Sequence, residues 1–211
     1  DFAAYLDAHA FLAWGLLELL QTRWHGPWLA WIIDLCDIML DHFFDTDAGG
    51  FFFTAADHEE LILRPPLFGD AATPSGNGIA ARVMLRVGYL LGEMRYIEAA
   101  EQTLRAARPV MEKYPQAHTS LLMALDEFTE PPTTLVLRGP PDELQTWREE
   151  LDKLYDPRRM IVAIPSDAPS LPEALEEKRP APEGCVAYIC NGATCSAPLT
   201  SLGDVVRKMR I

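Results

Sequence analysis

The sequence predicts a mainly α-helical protein, an array of helical hairpins followed by a small α/β region. Three observations predict this fold. Apolar residues recur at helical spacing up to Phe128, a helix–turn–helix pattern seen from Phe11 onwards recurs from Ile79 onwards, and strand-like runs begin after Pro131-Pro132. We therefore expect residues 1–131 to form the hairpin array and residues 132–211 to form a small α/β appendage.

Five helices are predicted in the array. The break at Thr22–Gly26 separates the first two, and Pro27 suits the first turn of the second. The segment 45–50 ends the second helix, a short strand is expected at Phe51–Thr54, and a polar connection continues to about Ser75. The predicted helices cover residues 2–22, 27–43, 79–90, 96–111 and 117–128.

The internal repeat indicates that the unit is a helical hairpin used at least twice. The match is one of pattern more than of identity, and hairpins stacked in this way bury a shared core. The aligned pairs include Phe11 with Ile79, Leu16 with Met84, and Trp28 with Tyr96.

The carboxyl-terminal region reads as strand, helix, strand, loop, strand and helix. The first two strands are separated by a helix, an order that favours a parallel pair with a right-handed crossover. The predicted strands are 133–137, 160–164 and 185–190, the helices are 142–155 and 201–209, and a loop rich in Pro, Glu and Ala covers 165–184.

Composition excludes several classes of function. The 31 acidic and 18 basic residues give a net charge of −13, which argues against binding to nucleic acid or to an anionic membrane surface. No apolar run approaches the roughly 20 residues of a membrane-spanning helix, and no signal peptide is visible. We expect a cytoplasmic location. The chain begins at Asp1 without Met, already inside a helical pattern, so we expect a fragment of a longer protein.

The four cysteines allow more than one interpretation. Cys36 lies in an apolar helical run and is expected to be a buried thiol. Cys185, Cys190 and Cys195 lie close together, but their spacing is typical neither of a metal pair nor of a redox pair. Reduced thiols are the expectation, and a Cys190–Cys195 disulfide or a weak metal site remains open.

The starts of the odd-numbered helices predict a site. In a hairpin array these helices share one direction, so their amino termini gather on one face and offer free N–H groups. Such a face suits oxyanions and hydroxyls, and a carboxylate and an imidazole there could act as acid and base. We expect Asp7, His9, Asp70 and His118 to be catalytic candidates, with Ser75 and Asn77 orienting a substrate.

A structural alternative exists for each of these residues. Ser75 or Asn77 can cap the third helix, Asp7 can cap the first, and both histidines can be partly buried and hydrogen-bonded. Trp14 and Phe52 are candidates for an aromatic platform that binds a sugar, although helical aromatic residues usually belong to a core. The segment 45–50 resembles a calcium loop but lacks its twelfth-position Glu. The sequence also has no Gly-rich phosphate loop and no His-Glu-x-x-His motif, so no metal ligands and no cofactor are expected.

Four segments resemble the carboxyl-terminal half of the spermatogenesis-associated protein 20-like family: GGFFFTAADHEELILR, DAATPSGNGIAARVMLRVG, AHTSLLMALD and YICNGATCSAPLTS. The resemblance implies an amino-terminal thioredoxin-like domain followed by an (α/α)6 toroid similar to six-hairpin glycosidases and N-acylglucosamine 2-epimerases. It also implies that this chain lacks that domain and roughly the first half of the toroid.

Two functions follow from the resemblance as expectations. The first is a role in carbohydrate metabolism, as an epimerase, isomerase or glycoside hydrolase whose small-molecule sugar binds at the odd helix starts. The alternative is a non-catalytic scaffold that presents the fused thioredoxin-like domain to partners. Because a half toroid exposes an apolar flank, self-association of the fragment is also expected.

Overall fold

The computed structural model describes residues 4–57 and 64–209, and the chain is mainly helical with a small mixed sheet. The prediction of five helices in the amino-terminal region is confirmed. They are α1 (Leu6–Thr22), α2 (Gly26–Phe43), α3 (Gly76–Leu91), α4 (Met94–Lys113) and α5 (Thr119–Thr129). One turn of 3-10 helix at Pro115–Ala117 precedes α5, which therefore begins two residues later than predicted. Residues 2 and 3 of the predicted first helix lie outside the described residues.

The repeat is visible in the helix boundaries. The shift that aligns Phe11 with Ile79 also carries Gly26, the first residue of α2, onto Met94, the first residue of α4. The same shift carries most of α1 onto α3. The two hairpins therefore follow one register, which we call the repeat register, and a residue of the first can be compared directly with its equivalent in the second.

The strand predicted at Phe51–Thr54 is wrong. Phe51 and Phe52 make isolated bridges, with Phe44 and Pro66 respectively, and no ladder extends beyond them among the described residues. The segment is instead held by single backbone hydrogen bonds, such as the one from the Leu6 N–H to the Phe53 carbonyl. Residues 58–63 of the predicted polar connection lie outside the described residues.

The carboxyl-terminal region forms a four-stranded sheet with the order β2-β1-β3-β4. β1 and β2 are parallel and are joined by α6, as predicted, whereas β3 is antiparallel to β1. Its elements are β1 (Thr133–Gly139), α6 (Pro141–Asp152), β2 (Met160–Pro165), α7 (Glu173–Glu176), β3 (Val186–Asn191), β4 (Thr194–Cys195) and α8 (Leu202–Met209). The short α7, within the predicted loop, and the two-residue β4 were not predicted.

The chain divides into two compact units. The helical unit contains Asp1–Glu18, Pro27–Gly88 and Glu93–Glu130, and the α/β unit contains Leu19–Gly26, Tyr89–Gly92 and Pro131–Ile211. Each buries its own apolar side chains. In the α/β unit, Leu135, Trp147 and Ile161 belong to one core between the sheet, α6 and α8. Within the described ranges, no helix combines the length and the apolar character needed to cross a membrane.

The expectation of reduced thiols is wrong for one pair of cysteines. Cys190 and Cys195 lie opposite each other in the β3–β4 hairpin and form a disulfide, because a two-residue turn brings the strands into direct register. Cys36 and Cys185 are free and buried, and burial raises the pKa of the Cys185 thiol to about 11.

Candidate functional site

The starts of α1 and α3 lie against each other. A Cβ atom placed on Gly76, the first residue of α3, would lie 2.1 Å from Oδ1 of Asp7 and 3.1 Å from Leu6. Glycine at position 76 therefore leaves the space that the Asp7 carboxylate occupies. Asp7 stands in the first turn of α1. Because its carboxylate lies against Gly76, it also lies over the amino terminus of α3.

Asp70 joins the start of α3 to the start of α5. Its Oδ1 accepts a hydrogen bond from the Ser75 N–H at 2.9 Å and another from the Ser120 hydroxyl. Its Oδ2 accepts from the Thr119 hydroxyl at 2.7 Å and from the Ser120 N–H at 2.9 Å. A carboxylate has about four acceptor positions, so this one is fully used.

Ser75 is the amino-terminal cap of α3, one of the two caps predicted from the sequence. Its hydroxyl accepts a hydrogen bond from the Gly78 N–H at 3.1 Å and lies 3.1 Å from the Ser120 hydroxyl. The close contact of α3 with α5 requires Gly78, because a Cβ there would lie 2.5 Å from the Cβ of Ser120. We call Asp7, Asp70, Ser75, His118 and Ser120 the rim.

The two rim aspartates have opposite electrostatic environments. Burial would raise the pKa of Asp70, but hydrogen bonds from Ser120, Thr119 and the Ser75 N–H outweigh it and lower the pKa to about 2. Burial raises the pKa of Asp7, and its carboxylate has no hydrogen bond or ion pair within residues 4–57 and 64–209. Asp70 is thus a fixed anion, whereas Asp7 is available to a ligand or a proton.

His118 stands at the cap position of α5, directly beside the Asp70 loop. Its Nδ1 lies 2.8 Å from the Tyr114 carbonyl, which can only accept, so Nδ1 carries the hydrogen and Nε2 is left as an acceptor in the neutral ring. Nε2 lies 4.0 Å from the position that a Cβ would take on Gly69. The Asp70 N–H is bonded to the Ala117 carbonyl at 2.8 Å, which keeps these segments together.

His9 is not brought to the rim contacts. It follows Asp7 by two residues, which places the two side chains about 200° apart around the helix. Its ring packs against Phe43 of α2 at a centroid distance of 5.0 Å, and its Nδ1 lies 3.0 Å from the Tyr5 carbonyl. The structural alternative, a hydrogen-bonded histidine between two helices, describes this position.

Asn77 and Phe52, predicted to bind a substrate, are engaged within the protein. The buried Asn77 amide bonds the Phe51 N–H at 2.7 Å, the Phe51 carbonyl at 2.9 Å and the Leu67 carbonyl at 3.1 Å. The Phe52 ring lies under the guanidinium of Arg64, 4.5 Å from its centroid. Through these contacts Asn77 and Phe52 hold the segment around Phe51 and the loop before α3 in place.

Trp14, the other predicted platform residue, supports two arginines. The guanidinium groups of Arg82 and Arg86 lie 4.2 and 4.8 Å from its ring centroid. Both also bond the buried Glu127 of α5, at 2.7 and 2.8 Å for the shortest contact of each. We call Trp14, Arg82, Arg86 and Glu127 the arginine layer.

The arginine layer was not predicted, although the sequence carries a signal for it. Arg82 and Arg86 are the charged residues of an otherwise apolar or uncharged helix, and they stand one turn apart. Trp14 follows Asp7 by seven residues, as Arg82 follows Ser75 and Glu127 follows Ser120. Seven residues is about two turns, so the rim and the arginine layer occupy the same faces of three parallel helices.

A stacked aromatic pair at the start of α1 was also not predicted from the sequence. Tyr5 and Phe53 stack with centroids 4.6 Å apart and ring planes inclined by 12°, and the Leu6 N–H bonds the Phe53 carbonyl at 3.0 Å. Tyr5 remains 43% exposed. Phe52 was the residue of this run predicted as a platform, but the ring that stacks with Tyr5 belongs to Phe53.

Two further features bear on what the site can hold. A cavity of about 470 Å³ lies between α4 and α5, lined by Leu104, Met111 and Phe128 among others; it contains none of the rim residues. No cluster of three or more His, Cys, Asp or Glu side chains that could hold a metal ion occurs in the part of the chain that is described.

Comparison with known proteins gives relatives but no family model that matches. Spermatogenesis-associated protein 20 of Rattus norvegicus is 27% identical over 93% of this chain and 26% of its own length. The Homo sapiens protein of the same name is 26% identical with the same coverage. The resemblance to the spermatogenesis-associated protein 20-like family is confirmed.

An uncharacterised protein of Caenorhabditis elegans is 27% identical over 97% of this chain and 28% of its own length. The chain spans about a quarter of the length of the curated relatives it matches. The similarity runs through both the helical unit and the α/β unit, because it covers nearly the whole chain. The names of these relatives state no reaction and no ligand.

Proposed function

We propose that the helical unit is part of an (α/α)6 toroid and that its rim binds a carbohydrate, on which it moves a proton. The repeated hairpins with parallel odd-numbered helices support the toroid. The gathering of three helix starts supports a site at one end of those helices, because their unpaired N–H groups favour hydroxyls and oxyanions.

The observation that carries the proposal is the state of Asp7. A half-buried carboxylate without a partner among the described residues costs free energy unless something else binds it. Its pKa is raised by burial, which brings the group closer to the range in which an acid–base catalyst works near neutral pH. In this proposal Asp7 binds the sugar, takes up the proton that the sugar loses from carbon and returns it in the product.

The Tyr5–Phe53 pair gives the ligand an apolar surface. Sugar rings carry one face of C–H groups, and an exposed aromatic ring next to a hydrogen-bonding group suits such a face. Tyr5 is exposed and stands two residues before Asp7. Because Tyr5 precedes the first residue of α1, the helical rotation that separates His9 from Asp7 does not apply to it. In this proposal the ligand lies across Tyr5 with its polar edge directed at Asp7.

The carboxylates favour epimerisation or isomerisation over hydrolysis. Glycoside hydrolysis normally uses two carboxyl groups, one as acid and the other as nucleophile or base. Asp70 is already engaged by four donors, which leaves Asp7 as the available carboxylate of the rim. Proton transfer at a carbon next to a carbonyl can be carried out by one carboxylate, which takes the proton from one carbon and returns it to the neighbouring one, and Asp7 is the rim carboxylate available for this role.

Calorimetric titration of a panel of aldoses, ketoses and N-acetylated hexosamines tests the proposal. We expect one sugar class to bind the wild-type chain and the Asp7→Asn variant to lose at least about tenfold in affinity, as follows from removing a charged hydrogen-bond partner. Tyr5→Ala should weaken binding to a similar extent. Asp142→Asn is the matched control, since Asp142 also stands in the first turn of a helix but in the α/β unit.

Two results would overturn the proposal. One is the absence of binding by any sugar in the panel to the wild-type protein. The other is binding that survives unchanged in both Asp7→Asn and Tyr5→Ala, which would place the ligand elsewhere. In either case the rim would be a structural joint between three helices.

A further inference from the structure

One face of the first hairpin, formed by α1 and α2, is exposed, whereas the equivalent face of the second hairpin, formed by α3 and α4, is buried. In the repeat register, Leu12 of α1 corresponds to Ala80 of α3, and Trp31 of α2 corresponds to Ala99 of α4. Leu12 is 40% exposed and Trp31 48% exposed, whereas Ala80 and Ala99 are 0% and 3% exposed. Equivalent positions of one repeat thus differ in whether another element covers them.

The first hairpin is what covers the second. On α3, Ala80 lies one turn after Gly76, whose Cα faces Leu6 and Asp7 of α1. On α4, Ala99 lies one turn after Arg95, which pairs with Asp37 of α2 at 2.8 Å. The faces of α3 and α4 that carry these two alanines are therefore the ones on which α1 and α2 pack.

The corresponding face of the first hairpin has no such cover among the described residues. It consists of Ala8, Leu12 and Gly15 on α1 and of Trp31 and Ile38 on α2, all of which are exposed. A Cβ on Gly15 would meet no atom within 4 Å. We call these five residues the open face. Exposed tryptophan, leucine and isoleucine at helical spacing on both helices of one hairpin are typical of an interface.

We propose that the open face binds a further α-hairpin, contributed by polypeptide outside these 211 residues and packed as α1 and α2 pack on α3 and α4. The relatives support an occupant from the same protein, because they are about four times as long as the matched segment. A second copy of this chain is the rival occupant.

The open face also indicates what the occupant looks like. On the second hairpin the receiving positions are small, with alanine at 80, 99 and 106, so α1 and α2 can approach closely. On the first hairpin the same positions hold Leu12, Trp31 and Ile38. The incoming hairpin therefore presents small side chains opposite Trp31, which would enter the groove between its two helices as a buried aromatic anchor.

Hydroxyl-radical footprinting of wild-type side chains tests this inference without any substitution. Trp31 and Leu12 are compared in the 211-residue chain and in the full-length protein that contains it, with Tyr155, 91% exposed in the α/β unit, as the internal control. We expect oxidation of Trp31 to fall roughly tenfold in the longer protein, in proportion to the loss of exposed area, while that of Tyr155 stays the same.

Equal oxidation of Trp31 in both proteins overturns the inference. So does protection of Trp31 in the 211-residue chain that disappears on dilution, because that result assigns the open face to a second copy. The inference rests on the toroid proposed above but not on any ligand. Unchanged oxidation of Trp31 would remove the neighbouring hairpin and leave sugar binding at the rim untouched, and an absence of sugar binding leaves the footprint untouched.

Discussion

The rim and the arginine layer lie on the same faces of α1, α3 and α5, about two turns apart. They differ in how many hydrogen bonds their carboxylates accept from the protein. In the arginine layer, Glu127 accepts four hydrogen bonds from Arg82 and Arg86. At the rim, Asp70 accepts four from backbone and hydroxyl groups, whereas Asp7 accepts none from the described residues.

This difference separates carboxylates with a structural role from the carboxylate proposed to bind a ligand, within one set of helices. A carboxylate whose acceptor positions are filled by the protein holds elements together, and its removal leaves buried donors without partners. A carboxylate that is partly buried and unpartnered contributes little to stability and remains free for a ligand. The loss of stability in three variants should therefore follow how fully each carboxylate is engaged and how deeply it is buried, with Glu127 first, Asp70 second and Asp7 last.

The largest effect is expected for Glu127→Gln. Arg82, Arg86 and Glu127 are nearly fully buried, and breaking a buried ion pair leaves uncompensated charge that typically costs about 3–5 kcal/mol. Urea unfolding followed by far-ultraviolet circular dichroism measures the change in the free energy of unfolding.

Glu112→Gln is the matched control, since Glu112 also pairs with an arginine, Arg108, but on the surface of α4. Its cost should be far smaller, because both side chains of this pair are exposed to solvent. A loss of similar size in both variants would mean that the arginine layer is no more than a solvated charge cluster, and the comparison with the rim would fail.

An intermediate effect is expected for Asp70→Asn. The variant removes the negative charge that four donors share, and losses of helix capping groups cost about 1–2 kcal/mol. Asp142→Asn, in the first turn of α6, should be nearly neutral. If Asp70→Asn is equally neutral, the hydrogen bonds from Thr119 and Ser120 do not stabilise the junction of α3 with α5.

The same residue predicts a pH dependence with a definite sign. The folded-state pKa of Asp70 is lowered to about 2 from its usual 3.8, so the unfolded chain binds a proton more readily than the folded one. The stability that Asp70 contributes is present above pH 3.8 and is lost as the pH falls towards 2. The gap between the wild type and Asp70→Asn should narrow over that window in acid unfolding curves.

Much of the helical unit was predictable because its signals are local and repeated. Periodic apolar residues, Pro27 and the turn at Gly92 define the hairpins, and the repeat that carries Gly26 onto Met94 gives their register. The prediction of a strand at Phe51–Thr54 was wrong, because three aromatic residues favour a strand only where a partner strand exists. The segment is instead fixed by Asn77, from a position 26 residues away.

The site was predictable in its location but not in the roles of its residues. Shared helix direction was enough to bring Asp7, Asp70 and Ser75 to one end of the array. Which aspartate is bonded depends on Thr119 and Ser120, about 50 residues from Asp70, and no local pattern gives that contact. His9 shows the converse: its type suggested catalysis, but its angle around α1 directs it towards Phe43.

The smallest effect, and one of opposite sign, is expected for Asp7→Asn. Because burial raises the folded-state pKa of Asp7 above its usual 3.8, the charged form disfavours folding at neutral pH, and this cost vanishes well below pH 3.8, where both states are protonated. The variant should therefore match or slightly exceed the wild type near neutral pH, within about 0.5 kcal/mol, and lose any advantage in acid. A loss above about 1 kcal/mol would show that Asp7 makes a stabilising bond and is not free for a ligand. Neutral stability together with lost sugar binding would instead identify Asp7 as the rim carboxylate whose role lies outside the fold.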